Sequence, residues 1–173
     1  MGLNNVNLEA VERFTRDVEH DPAQAKRTKR VVSEWVLAEG RPQVRANLEY
    51  PTGLAAMVAD GPPFLGGAGR APDPVQICLF GLAACYAGSF ALTAAAEGIE
   101  LRRLQVVAEN HLDLSAAMGL SENPLVEGIT LTVRVEADAP RERLEEVQRI
   151  ARHRCPGVFC VTQPIPLTIQ LAE

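Results

Sequence analysis

The spacing of apolar residues changes several times along the chain, and each change marks an element. Val11, Phe14 and Val18 recur at helical intervals within residues 8–18, which predicts a short amphipathic helix ending near Asp21-Pro22. Residues 30–38 and 43–49 are β-branched and aromatic, and Glu39-Gly40-Arg41-Pro42 between them predicts a hairpin turn. A third short strand from Leu54 to Val58 follows Pro51-Thr52-Gly53. The next segment, residues 60–73, holds four Gly and three Pro and reads as a loop long enough to line a site. Residues 74–96 carry no charge and predict a long helix, with Asp73 as cap, Pro74 at the first position and Gly98 at the stop. Strands follow at 101–113 and 127–136, the second alternating apolar and polar residues, with a turn from Gly119 to Pro124 between them. A second amphipathic helix over 140–154 carries Leu144, Val147 and Ile150 on one stripe and is broken by Pro156-Gly157. Residues 165–171 predict a last strand.

Runs of strands between isolated helices imply an α+β class with antiparallel sheets, not a wound parallel sheet. The boundaries suggest an N-terminal helical extension over 1–29 and one domain over 30–173. At 173 residues, such a chain buries about 70% of the surface it exposes when unfolded.

The uncharged stretch is long enough to span a bilayer. Its Ala and Gly content, its Gln76, Ser89 and Thr93, and its acidic flanks at Asp73, Glu97 and Glu100 fit a buried core helix better. No membrane association is expected. The net charge of −5 comes without a basic cluster, so nucleic acid is not an expected partner either. Residues 1–7 are polar and lack the apolar core of a signal peptide, which favours a cytoplasmic location. In that reducing setting, cysteines are reactive, buried or metal-bound more often than cross-linked.

Four cysteines therefore carry the candidate chemistry. Cys78 and Cys85 share a helix face but stand about 10.5 Å apart along the axis, beyond disulfide reach. Cys155 and Cys160 flank the Pro-Gly break, and their spacings do not suit zinc, so no metal is expected. A thiolate at Cys85, deep in its helix, gains nothing from the helix dipole and needs a cation from elsewhere. Arg41 at the hairpin tip is the first choice, with Arg45 and Arg70 behind it. Cys155 sits at a helix C-terminus, where the dipole opposes a thiolate. It suits a resolving role better than an attacking one. Cys78 and Cys160 read as core residues, since free cysteine packs as a small hydrophobe.

Two segments resemble the signatures of the OsmC/Ohr family, the osmotically inducible and organic hydroperoxide resistance proteins. They are Asp73-Pro74-Val75-Gln76 leading to Leu82-Ala83-Ala84-Cys85-Tyr86, and Ala151-Arg152-His153-Arg154-Cys155-Pro156 at the end of the later helix. With the Gly66-Gly67 loop and the order of elements, the resemblance covers about residues 30–172. It implies an intertwined homodimer, antiparallel sheets packed around long central helices, with sites at the subunit interface. It also implies that Cys85 attacks a hydroperoxide and becomes a sulfenic acid, that Cys155 condenses with it, and that a dithiol or lipoylated reductant reopens the disulfide. No bound cofactor is implied.

Arg41 matches the family's activating arginine, and Phe64, Phe80 and Tyr86 are candidates for an apolar substrate pocket. One departure stands out. The peroxidases of this family carry a glutamate where this chain has Val75, and that glutamate orients the arginine. Three readings follow. The first is a thiol-dependent peroxidase of organic hydroperoxides; the second is an OsmC-like binding protein for a small apolar ligand with little or no peroxidase activity. The third is an interaction protein with inert buried cysteines.

Overall fold

The structure, a computed structural model, describes residues 2–172. It is α+β, as expected, and it divides into two compact units. One comprises Val11–Phe80, and the other comprises Met1–Ala10 with Gly81–Glu173. The chain opens with helix α1, Leu8–His20, which starts in the second of these and ends in the first.

The Val11–Phe80 unit is built on an antiparallel sheet of β1 (Ser33–Trp35), β2 (Val44–Tyr50) and β3 (Gly53–Ala59). The predicted hairpin is present, but the β1 ladder is much shorter than residues 30–38. Arg45 lies opposite Glu34 in the register and reaches it at 2.7 Å. Both side chains are exposed, so the pair contributes no more than about 1 kcal/mol. The glycine-rich loop after β3 folds back on Asp60, whose Oδ2 accepts from the Arg70 amide at 2.9 Å. Gly67 must be glycine here, because a Cβ would sit 1.9 Å from the Gly61 carbonyl oxygen.

Helix α2 spans Pro74–Ala96, as predicted. Asp73 caps it by accepting the Val75 amide at 2.7 Å, and Gln76 returns the contact by accepting the Asp73 amide at 3.0 Å. Its other end closes with the left-handed Gly98, whose amide donates to Ala95, while Ile99 donates to Ala94. This helix is long and apolar enough by length and composition to cross a membrane. Its Tyr86, Phe90 and Ala94 enter the core of the second unit.

That unit pairs β4 (Leu101–Leu112) with β5 (Val126–Ala137) in one long antiparallel ladder, with the short helix α3 (Leu114–Ala117) in the connection. Helix α4, Arg141–Arg154, follows. Tyr86, Phe90 and Ala94 from α2 pack with Val147 and Ala151 from α4, over Leu104, Val106, Val133 and Val135 of the sheet. Fully buried side chains such as Phe90 and Val147 contribute about 1.5–3 kcal/mol each. Near the N-terminus, Asn4 clamps the α2–β4 connection, donating to the Ile99 carbonyl and accepting the Leu101 amide, both at 2.8 Å.

Three expectations are corrected. Cys78 and Cys160 are exposed and not core residues. Pro156-Gly157 ends α4 but also begins a further helix, α5, over Pro156–Thr162. Proline lacks the amide that the first helical position leaves unpaired, so the residue that stops one helix starts the next. Residues 165–171 form no strand. Leu167, Ile169 and Leu171 are 82%, 88% and 101% exposed, because among the described residues no strand lies beside them to close a ladder.

Candidate functional site: a pair of thiols

Cys85 lies on α2 one residue before the buried Tyr86, on the side of the helix that meets the start of α5. Cys155 is the single extended residue between α4 and α5, with φ −84° and ψ 116°. This break turns its side chain into the core, where it is only 1% exposed. The two sulfurs stand 3.6 Å apart. Both cysteines are free thiols. A disulfide S–S bond is about 2.04 Å, so a small approach along the line between them would close it.

Gly157 is the third member of the site. Its amide donates to the Cys85 sulfur at 3.3 Å. A side chain there would have its Cβ 3.1 Å from Cys85 Cβ, 3.2 Å from Cys85 Sγ and 3.3 Å from Leu82 Cδ1. Glycine is what lets α5 approach α2 so closely. Ser89, one turn beyond Cys85, donates its hydroxyl to the Cys85 carbonyl at 3.1 Å.

The two thiols are driven apart in acidity. Burial pushes Cys85 up, against the Gly157 amide that lowers it, and proximity to Cys155 pushes it further. Burial also raises Cys155, but the Val158 amide, the Ser89 hydroxyl, the Cys85 thiol and the Gly157 amide outweigh it and bring Cys155 down. The dipole argument from sequence thus covers only half of the position. Cys155 ends α4 but also heads α5, whose first amides face its sulfur, although none makes a side-chain cap bond of strict geometry. Of the two thiols, Cys85 is thus the one pushed up and Cys155 the one drawn down.

The remaining predicted residues are placed as follows. Arg41 lies in the β1–β2 turn and is exposed, and Phe64 and Phe80 are exposed in the same unit. Arg70 extends its guanidinium to 3.9 Å from the position a Gly40 Cβ would take, beside Arg41. Arg45 is engaged by Glu34. Tyr86 is 4% exposed in the core, where its hydroxyl lies 3.4 Å from the Gln148 carbonyl. Val75 is half-buried in the first turn of α2. Among the described residues no group of three or more His, Cys, Asp or Glu could hold a metal ion.

Sequence reading did not single out Gly157, Ser89 or Asp60. Gly157 was legible only as a helix breaker, and nothing in its local pattern announces contact with a residue on another helix. Asp60 is buried, with Oδ1 unpaired, a consequence of the loop folding over it.

The OsmC-like protein family model matches residues 67–170, more than half of the chain. Among solved structures, an OsmC-like protein of unknown function from Vibrio cholerae superposes with a TM-score of 0.60 at 16% identity, covering 79% of this chain and 95% of that one. The organic hydroperoxide resistance protein OhrB of Bacillus subtilis gives 0.51 at 21% identity, covering 79% and 91%. An organic hydroperoxide resistance protein OsmC from Legionella pneumophila gives 0.51 at 23% identity, covering 79% and 92%. Among curated proteins, none matches this sequence.

Proposed function

This chain belongs to the OsmC-like family, and we propose that it is a thiol-dependent peroxidase reducing organic hydroperoxides, with Cys85 attacking and Cys155 resolving. The observation that carries the reading is the 3.6 Å separation of the two sulfurs, brought together from two helices. Similar structures named as organic hydroperoxide resistance proteins support the substrate class. Access supports these roles, since Cys155 is sealed and Cys85 is partly open.

In the first step Cys85 sulfur attacks the terminal peroxide oxygen, the O–O bond breaks, and the alkoxide leaves as an alcohol. The products are a Cys85 sulfenic acid and ROH. The Cys85 proton passes to the departing alkoxide oxygen, and the Cys155 proton leaves later with the hydroxide. In the second step Cys155 sulfur displaces hydroxide from the sulfenic acid, which leaves as water, and the disulfide closes. A dithiol or lipoylated reductant then reopens it by exchange. No resident cofactor is required.

The reading includes a homodimer in the reducing cytoplasm. Fewer than a third of the residues in the most apolar stretch of α2 are buried within one chain, which leaves much of its Ala- and Gly-rich surface to be covered by a second copy. Arg41 remains the proposed source of positive charge for Cys85, with Phe64 and Phe80 as proposed contacts for the alkyl group of the substrate.

The raised pKa of Cys85 and the valine at position 75 favour the second reading, an apolar-ligand binding protein. One experiment separates the two. Free thiols are titrated before and after one equivalent of cumene hydroperoxide. Loss of two thiols per chain, abolished in Cys85→Ser, is the peroxidase result; retention of all four rejects it.

A further inference from the structure

A third thiol stands at this site, and neither the attack nor the resolving step uses it. Cys160 lies on α5 three residues after Gly157. Residues three apart share a helix face, with Cβ atoms about 5–6 Å from each other. Since the Cβ position of Gly157 is 3.2 Å from Cys85 Sγ, Cys160 lies one turn further along the face of α5 that meets Cys85. The charge on Cys160 is felt at Cys85, which agrees with this placement. Unlike Cys155, Cys160 is exposed.

That contrast bears on how the enzyme is recycled, and here the inference rests on the peroxidase reading. A disulfide between Cys85 and Cys155 has one sulfur fully buried and the other half-buried, so an external dithiol meets little of it. We propose that Cys160 is a third redox thiol of the site, exchanging with Cys155 so that the disulfide passes to Cys85–Cys160 and is presented to an external dithiol. Cys160 sulfur, as thiolate, attacks Cys85 sulfur; the Cys85–Cys155 bond breaks; Cys155 leaves as thiolate. The dithiol then reduces Cys85–Cys160 to two thiols and is itself oxidised to its cyclic disulfide.

The fold also dictates which sulfur is attacked. Cys155 and Cys160 are five residues apart across α5, which puts their Cα atoms about 8–9 Å apart by helix geometry, beyond the usual disulfide range. Exchange through Cys85 is the route the helix leaves open. Stabilisation of Cys155 as thiolate makes it the better leaving group.

The test uses Cys155→Ser, treated with one equivalent of cumene hydroperoxide or, in parallel, of diamide, which removes two electrons and two protons from a dithiol without any peroxide step. Non-reducing peptide mapping should find Cys85–Cys160 linked within the chain in both arms, and no link in Cys155→Ser/Cys160→Ser. A link in the diamide arm alone upholds the third thiol while rejecting the peroxidase reading. The absence of that link in both arms overturns the proposal. In a second measurement, reduction of the Cys85–Cys155 disulfide by dithiothreitol should be about tenfold slower in Cys160→Ser than in the wild type, as expected when access limits exchange. An unchanged rate overturns the relay. Circular dichroism checks that both variants are folded.

Discussion

Cys85 and Cys155, 70 residues apart in the chain, hold their sulfurs 3.6 Å from each other because an extended residue between α4 and α5 turns one thiol toward the middle of α2. Two thiols that close cannot titrate independently, and each ionisation changes the cost of the next. Burial and the neighbouring Cys155 together push the Cys85 thiol up.

From this follows the effect of removing the partner. Cys155 raises Cys85 both through their contact and through its charge, behind burial as the leading cause. Cys155→Ser removes those two contributions, so Cys85 should titrate lower than in the wild type. A raised thiol is mostly protonated at neutral pH and gains thiolate as pH climbs through and beyond the ordinary thiol range. Alkylation of Cys85 by iodoacetamide should therefore rise with pH in both proteins, with the variant's profile displaced to lower pH. A profile displaced upward, or unmoved, would contradict the coupling.

Gly157→Ala opposes two effects of known size. Alanine is favoured over glycine in a helix by up to about 1 kcal/mol. Against this, its Cβ would press on Cys85 and on the buried Leu82 at 3.1–3.3 Å, and overpacking costs about 1–3 kcal/mol. The second should prevail, because both contacted groups sit on a packed helix. We expect a net loss of about 1 kcal/mol, or about 2–4 °C in thermal midpoint for a chain of this size. Disulfide closure should also slow, since α5 must back away from Cys85. A midpoint raised by the substitution would show that α5 yields freely.

The contrast between what was and was not legible in the sequence is physical. Helix α2 was readable end to end, because Asp73, Pro74 and Gly98 act locally on the backbone they border. Of the long ladder, β5 was readable from the alternation of its apolar and polar residues. Helix α5 was not, since Pro156 carries the same local signal whether it stops a helix or starts one. The cysteine pair was legible through resemblance rather than spacing; spacing alone excluded Cys78–Cys85 and left the rest open. Acidity was the least legible property, because Val158, Ser89 and Gly157 converge on the sulfurs only after folding.

The proposed role of Arg41 can be tested against that of Arg45. Arg45 donates twice to Glu34 Oε2, at 2.9 and 2.7 Å, and is held on the sheet. If Arg41 holds the proposed role, Arg41→Ala should slow Cys85 alkylation at pH 7 about tenfold, the scale of a cation contributing about 1.4 kcal/mol. Arg45→Ala should change it less than twofold. If Arg45→Ala has the larger effect, the activating role moves off the hairpin tip.

The C-terminal segment yields the last expectation. Residues 165–171 have strand composition but lie unpaired, with Ile165, Leu167, Ile169 and Leu171 all exposed. An unpaired apolar segment of strand composition offers both backbone amides and side chains to another chain. Within the proposed homodimer, this segment should take a place against the partner. Burying three such residues at about 1.5–3 kcal/mol each makes it a substantial part of the association energy. Amide exchange in residues 165–171 should thus slow on raising the protein concentration through the dimerisation range. Leu167→Asp/Ile169→Asp should shift light-scattering mass from dimer toward monomer. Fast exchange at all concentrations, together with an unchanged dimer mass in that variant, would show that the segment takes no part and that the apolar surface of α2 alone must account for assembly.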